Sequence, residues 1–366
     1  MSGSISENEY ISNINKISNS ISFIYLVIII PFGFIANCVS IWIYLRPNLN
    51  KKSNTGFLYL CLSIMNIISL LNYAFIVRSR NLFGYTIDVT CGVDDYIRRN
   101  IFNATSWIQA LISFDRFLFI FFPAKNKLFS QKKYLFMLMG CIMCFILITN
   151  STNLISNSVI SISFNNLTNQ TVISESCVQT KIVSLATDFI AILMRLYIPF
   201  LIMVILNLLV IKKLYRTKKR VKKSTSNTIL IQVTTSSKNL VSNGQRTFSN
   251  KEYKFVFATI TMDLVFWIFY APVSINLTLS IVNTFTRIFT QRVPAANYSL
   301  YSNLSQLMAF TYHSVAIFMY LAFNQHFRAE FLALFKLNSI LPKWLSRPSS
   351  DVKPTRATNS VQFSLN

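Results

Sequence analysis

The stretch "QALISFDRFLFIFFP", Gln109 to Pro123, is apolar almost throughout, yet it carries an acid and a guanidinium side by side, Asp115 and Arg116. At the centre of a bilayer each would cost about 2.5–3.5 kcal/mol on insertion scales. Either the stretch is not a membrane span, or the pair lies at its edge and has work there. Two more arginines, Arg98 and Arg195, stand in apolar surroundings and could grip a carboxylate bidentately. Asp263 and Gln109 are also polar residues within apolar stretches. Catalytic chemistry is harder to find. The only histidines are His313 and His326, no CxxC…CxxC or HExxH pattern occurs, and no nucleophile–base set stands out. No cofactor, metal site or enzyme activity is expected.

The composition decides what holds these residues. Of 366 residues, 52% are hydrophobic and only 13% are charged, and the mean hydropathy is +0.45. A soluble protein of this length carries about a quarter charged residues. Seven glycines and nine prolines disfavour a turn-rich all-β fold and leave no Gly-rich phosphate loop. The net charge of +23 could suggest nucleic acid, but the bases alternate with apolar blocks and no nucleic-acid motif appears. An all-α membrane protein fits best.

A bilayer core needs about 20 apolar residues in a helix. Seven spans satisfy this: Ser22–Leu45, Gly56–Val77, Tyr96–Phe122, Lys133–Asn153, Ser184–Ile211, Tyr253–Ser280 and Ala295–Phe323. The third and seventh are the most polar, with Arg98, Arg99, Asn100, Asn103 and Gln109 in one and Asn303, Gln306 and His313 in the other. Such spans must face the bundle interior or a wet cavity. Cys38, Cys61, Cys141 and Cys144 fall inside apolar blocks and are expected to be buried thiols.

Basic residues crowd alternate loops: Arg46, Lys51 and Lys52, then Lys125, Lys127, Lys132 and Lys133, then "IKKLYRTKKRVKK" and the tail. The positive-inside rule places the N-terminus outside and the C-terminus inside, as expected of a multi-pass plasma-membrane protein. Glycosylation sequons at Asn166 and Asn169 fall in the outer loop between spans four and five. The expected organisation is an outer tail (1–21) without the basic region or cleavage site of a signal peptide, then a seven-helix domain (22–323). Within that domain lies a basic, Ser/Thr-rich inner loop (212–251). A membrane-surface helix (324–336) and a disordered inner tail (337–366) follow. The surface helix would place Phe327, Phe331, Leu334 and Phe335 on one stripe, with Arg328 and Lys336 near headgroups.

Asp115-Arg116 then sits at the inner rim of span three. Cys91 precedes Arg116 by 25 residues, about 37 Å of helix, and marks the outer rim. Taken in order, these features resemble a divergent rhodopsin-like (class A) G-protein-coupled receptor over roughly Ser22 to Lys336. "DRF" followed by Pro123 is similar to the Asp-Arg-Tyr motif of span three, and Asn37 in "GFIAN" to the asparagine of span one. "LSIMN", ending at Asn66, is similar to the Leu-Ala-x-x-Asp of span two, and Pro199 and Pro272 to the prolines of spans five and six. "MYLAFNQHFRAEF" resembles the end of span seven, with Tyr320 as its tyrosine.

The resemblance implies a Cys91–Cys177 disulfide and a bundle core that includes Asn37, Asn66, Thr105, Pro199, Phe266 and Pro272. It implies a switch at Asp115, Arg116, Glu252 and Tyr320, in which Asp115 and Glu252 restrain Arg116. Helix six would then swing out and release Arg116 toward a heterotrimeric G protein. Glu252 lies 20 residues before Pro272, about 30 Å along the helix, and so near Arg116. Ser349, Ser350, Thr355, Thr358 and Ser360 in the tail would suit phosphorylation and arrestin binding.

Departures from the family pattern are as informative. The acid of span two is the neutral Asn66, and "AIFMY" stands for Asn-Pro-x-x-Tyr. A cation needs charged or several oxygen ligands, so little sodium binding is expected even though Thr105 remains, and helix seven should run straight. Tyr270 replaces a tryptophan, and Asn207 a tyrosine. Gln109 and Asp263 occupy a layer that is usually apolar, and they are expected to hydrogen-bond.

On the ligand side, Arg98 lies 18 residues before Arg116, five helical turns, so both face one way. Arg195 is four residues before Pro199. Both are candidates for an acidic ligand, with Tyr270, Asn276 and His313 as further lining residues. Internal pairs compete: Asp94 with Arg98, Asp95 with Arg99, and Asp188 with Arg195. Peptide, lipid acid and small chemosensory molecule stay open as ligands. A non-signalling or divergent seven-helix chemosensory receptor is the alternative. A transporter fits the hydropathy but shows no half-repeat or Gly/Pro-broken pair of spans.

Overall fold

The computed structural model describes residues 7–46, 54–77, 91–122, 132–155, 157–165, 170–178, 180–231 and 250–335. All seven expected helices are present. They are α1 (Glu7–Leu45); α2 (Asn54–Asn72, closing in the π-turn Tyr73–Val77); and α3 (Cys91–Phe121). α4 (Lys132–Asn150) ends in a 3₁₀ turn, Ser151–Ile155. α5 comprises Lys181–Ile192, the π-turn Leu193–Tyr197 and Ile198–Ile231. α6 (Asn250–Thr286) and α7 (Arg292–Phe323) follow, and then the short α8 (Gln325–Leu334). Five of these are apolar and long enough on their own to cross a membrane. α3 is not among them, and α7 qualifies only together with α8 across a 96° bend, which matches the polarity read in spans three and seven.

The spans are all helix; the sequence reading did not anticipate the antiparallel hairpin between α4 and α5. Its strands, β1 (Asn157–Asn165) and β2 (Gln170–Val178), pair Ser158 with Cys177 and touch α3. The sequons at Asn166 and Asn169 and the tail beyond 335 lie outside the described residues, as do the side chains of Cys91, Cys177, Glu252 and His326.

α3 is the central helix, packing against α2, α4, α5 and α6. The outer surface of the bundle is apolar: Trp42, Phe136 and Ile148 are each more than 60% exposed, as lipid-facing side chains must be. Cys38, Cys141 and Cys144, expected to be buried, share that surface, and Cys61 is half-buried. Their apolar setting is lipid rather than protein.

Prolines explain two irregularities. The π-turns Tyr25–Ile29 in α1 and Leu193–Tyr197 in α5 end two residues before Pro31 and Pro199. A proline offers no N–H to the carbonyl four residues back, here Val27 or Arg195, and the widened turn absorbs the gap. Gly33 lets α1 close on its neighbours, since a Cβ there would lie 2.9 Å from Leu70 of α2 and collide with the Ser314 hydroxyl of α7.

α8 is capped by Asn324, whose side chain accepts from the Phe327 backbone N–H at 3.1 Å, and is tied to α1 by an Arg46–Glu330 ion pair at 2.8 Å. Phe327 is fully buried, with its ring 5.1 Å from that of Tyr44 and 5.4 Å from that of Tyr320. Phe327→Ala should therefore cost about 3 kcal/mol, as for other large-to-small core changes. A thermal melt of the purified protein checks this, and an unchanged midpoint would contradict the packing role.

Candidate functional site

Polar side chains occupy the bundle interior in four layers, from the Cys91 end to the Arg116 end. In the first, the π-turn of α5 directs Arg195 inward, where it is 5% exposed. Its guanidinium carbon lies 4.9 Å from the centre of the Phe102 ring on α3, within cation–π range. Arg99 pairs with Asp188 at 2.8 Å and also donates to the Thr187 carbonyl at 3.2 Å, while Arg98 pairs with Asp95. Among the described residues no carboxylate forms an ion pair with Arg195, and its buried Nε finds no acceptor.

Beneath it, a chain of hydrogen bonds crosses four helices. Tyr270 Oη of α6 and His313 Nε2 of α7 are 3.0 Å apart, and His313 Nδ1 is 2.7 Å from Asn66 Oδ1 of α2. Asn66 Nδ2 donates to Asn37 Oδ1 of α1 at 3.1 Å, and Asn37 Nδ2 donates back to the His313 carbonyl at 2.8 Å. An amide oxygen only accepts, so Nδ1–H donates to Asn66, and Nε2 accepts from Tyr270. Every link is then made by a neutral group.

The third layer is built on Asp263 of α6, which is 6% exposed. Gln109 Nε2 donates to Oδ1 at 2.8 Å, so the expected bond is present. Ser113 Oγ and Asn207 Nδ2 donate to Oδ2 at 2.6 and 2.7 Å. Tyr312 of α7 donates to Gln109 Oε1 at 3.2 Å.

In the last layer Arg116 is 8% exposed, within electrostatic reach of Asp115, Tyr59 and Tyr44. Asp115 Oδ2 accepts from Thr55 Oγ1 of α2 at 2.6 Å. Tyr59 donates to Met262 Sδ at 3.5 Å, and its ring lies 5.0 Å from that of Tyr320. Among the described residues no three His, Cys, Asp or Glu side chains converge as metal ligands.

A profile of the 7 transmembrane receptor (rhodopsin family) matches residues 36–313, from the asparagine layer of α1 to His313 of α7. The chain belongs to the rhodopsin family of receptors. Comparison with curated proteins found no match.

For this rhodopsin-family receptor several expected partners change. The internal acid–arginine pairing set against a ligand role is present on α3, but with other partners: Arg98 takes Asp95 at three residues, and Arg99 takes Asp188 on α5. Asp188, expected to compete for Arg195, is therefore committed elsewhere. Tyr270 and His313, expected to line the ligand cavity, are fully buried and bonded to each other. Asn276 is 8% exposed and donates to Ser302 Oγ at 3.1 Å. Thr105 is buried; its hydroxyl donates to the Ile101 carbonyl of its own helix and also meets the Tyr270 hydroxyl at the end of the Asn66 chain. Pro199 and Phe266 are buried in the core, and Pro272 is half-buried inside a continuous α6. Glu252 lies on the Arg116 half of α6. The sequence reading missed Ser113 as a donor, and saw Asn207 only as a departure from the family tyrosine.

Proposed function

We propose that this receptor binds an acidic extracellular ligand, peptide or small molecule, at the Cys91 end of the bundle and activates a heterotrimeric G protein at the Arg116 end. Arg195 carries the reading. A buried guanidinium is costly unless a partner accepts its hydrogen bonds; Arg98 and Arg99 have carboxylates, and Arg195 has an aromatic face and an idle Nε. A ligand carboxylate supplies the missing partner. Arg98 and Tyr270 lie within electrostatic reach of Arg195; with Asn276 they would set the shape of the ligand's remainder, and His313 would act through Tyr270. The residues for coupling are Asp115, Arg116, Glu252 and Tyr320, with Arg116 enclosed at rest and exposed when α6 moves.

On this reading the N-terminus is outside, which agrees with the basic loops on the Arg116 side. The plasma membrane is then the site of action, and Asn166 and Asn169 are open to glycosylation. Residues 1–21 are the outer segment, of which 7–21 begin α1, and 22–323 are the helical domain; 212–251 is its inner segment, of which 212–231 continue α5; 324–336 is the surface helix, and 337–366 the inner tail that would recruit arrestin once phosphorylated. A Cys91–Cys177 bond would tether the hairpin to the start of α3, the helix that the hairpin touches.

The test is G-protein activation in cells expressing the chain, basal and with peptide or acidic-metabolite pools, beside Arg116→Ala at matched surface level. A signal that Arg116→Ala abolishes is expected. Silence with every G-protein class despite surface expression would replace this reading with a non-signalling receptor.

A further inference from the structure

We propose that Asp263 is the latch that holds α6 in its resting position, with Gln109 and Ser113 of α3 and Asn207 of α5 as its keepers. It rests on the movement of α6 proposed above, but not on the acidity of the ligand. Three donors from two helices converge on one buried carboxylate at 2.6–2.8 Å. Tyr312 brings α7 into the same cluster by fixing the Gln109 amide. Packing alone does not call for such a layer, since well-packed apolar side chains of similar volume are often as stable as a buried charged cluster.

Hydrogen bonds differ from dispersion in how they fail. A donor moved beyond about 3.5 Å of its acceptor is no longer bonded, so an outward shift of α6 by about an ångström breaks all three contacts together. That is the behaviour of a two-position element rather than a gradually yielding one. The location suits the role: Ser113 precedes Arg116 by three residues on α3, and Met262, beside Asp263, receives the Tyr59 hydroxyl next to Arg116. Releasing the latch and uncovering Arg116 are therefore one movement. The same donors exclude a cation from the carboxylate, because N–H and O–H groups already point at both of its oxygens.

The experiment uses the purified full-length receptor, without ligand or G protein, so that its outcome is separate from that of the signalling assay. Cys38, Cys61, Cys141 and Cys144 are replaced, and Ala258→Cys, on the Arg116 half of α6 and 5% exposed at rest, reports opening by its rate of thiol labelling. When opening and closing are fast, that rate follows the open population. Each hydrogen bond to a charged group is strong enough that losing one shifts such an equilibrium about tenfold. Ser113→Ala, which removes one small donor and leaves the fold, should label about tenfold faster than the parent, and Asp263→Leu faster still. Adding Gln109→Leu to Asp263→Leu should raise the rate by less than Gln109→Leu does alone, since the two residues share one bond and only the Tyr312 contact of Gln109 remains to be lost. Labelling at the parent rate in Ser113→Ala and in folded Asp263→Leu would overturn the latch, as would fully additive effects in the double variant. Accelerated labelling in a receptor silent toward every G protein would support the latch while removing the signalling reading.

Discussion

Replacing Arg195 by leucine is expected to lower the potency of the activating acid by a factor of about a hundred or more. A guanidinium and a carboxylate form two parallel charge-assisted bonds, each worth about 1.5–3 kcal/mol when a charged partner is involved, and every 1.4 kcal/mol is tenfold in affinity. Arg195→Lys keeps the charge but loses the fork, and should fall between the two. The decisive comparison sets the acid against its methyl ester in concentration–response curves. The parent receptor should prefer the acid strongly, and Arg195→Leu should respond to acid and ester alike. A leucine variant that still prefers the acid would move the anion contact elsewhere. Arg98 is the nearest alternative, since it is half-buried and would have to give up Asp95 to serve.

What could be read from the sequence follows from the range of the forces involved. Helices of about 20 apolar residues announce themselves, because lipid demands complete backbone hydrogen bonding within each span. The two polar spans were legible by the same logic, since a span carrying Gln109 or His313 has to turn those residues inward. Gln109 and Asp263 could be paired because depth follows from counting residues. Counting fails at a π-turn, where an extra residue advances the helix face by about a quarter turn; only the structure shows that the turn at Leu193–Tyr197 sends Arg195 toward Phe102. Partner choice among neighbours is equally hidden. Asp94, Asp95 and Asp188 all lie close to the three arginines, and side-chain reach on two different helices decided that Asp188 should take Arg99. Asn207 gave a partial signal: a small amide eight residues after Pro199, on a lipid-bound helix, needs a polar partner, and Asp263 supplies it.

The second large effect is expected at His313, on stability. His313→Leu leaves the Asn66 carbonyl oxygen without its partner in a fully buried layer, and the Tyr270 hydroxyl with Thr105 alone. An orphaned buried group costs about 1–3 kcal/mol, so the variant should lose about that much and melt well below the parent. Removing both ends of a bond can be far less damaging than removing one. Adding Asn66→Leu should therefore cost less than the sum of the single changes, and strict additivity in the melting series would show that the chain is not a coupled unit. The same geometry fixes the response to sodium. Asn66 offers no charge, its oxygen already accepts from His313, and its amide nitrogen donates to Asn37. A cation entering here would have to displace a closed set of neutral hydrogen bonds without gaining a carboxylate. Potency of the activating ligand should accordingly be the same in sodium chloride and in choline chloride at equal ionic strength. Hydrogen bonds among α1, α2, α6 and α7 hold this layer together, so the release of α6 at Asp263 need not await the loss of an ion.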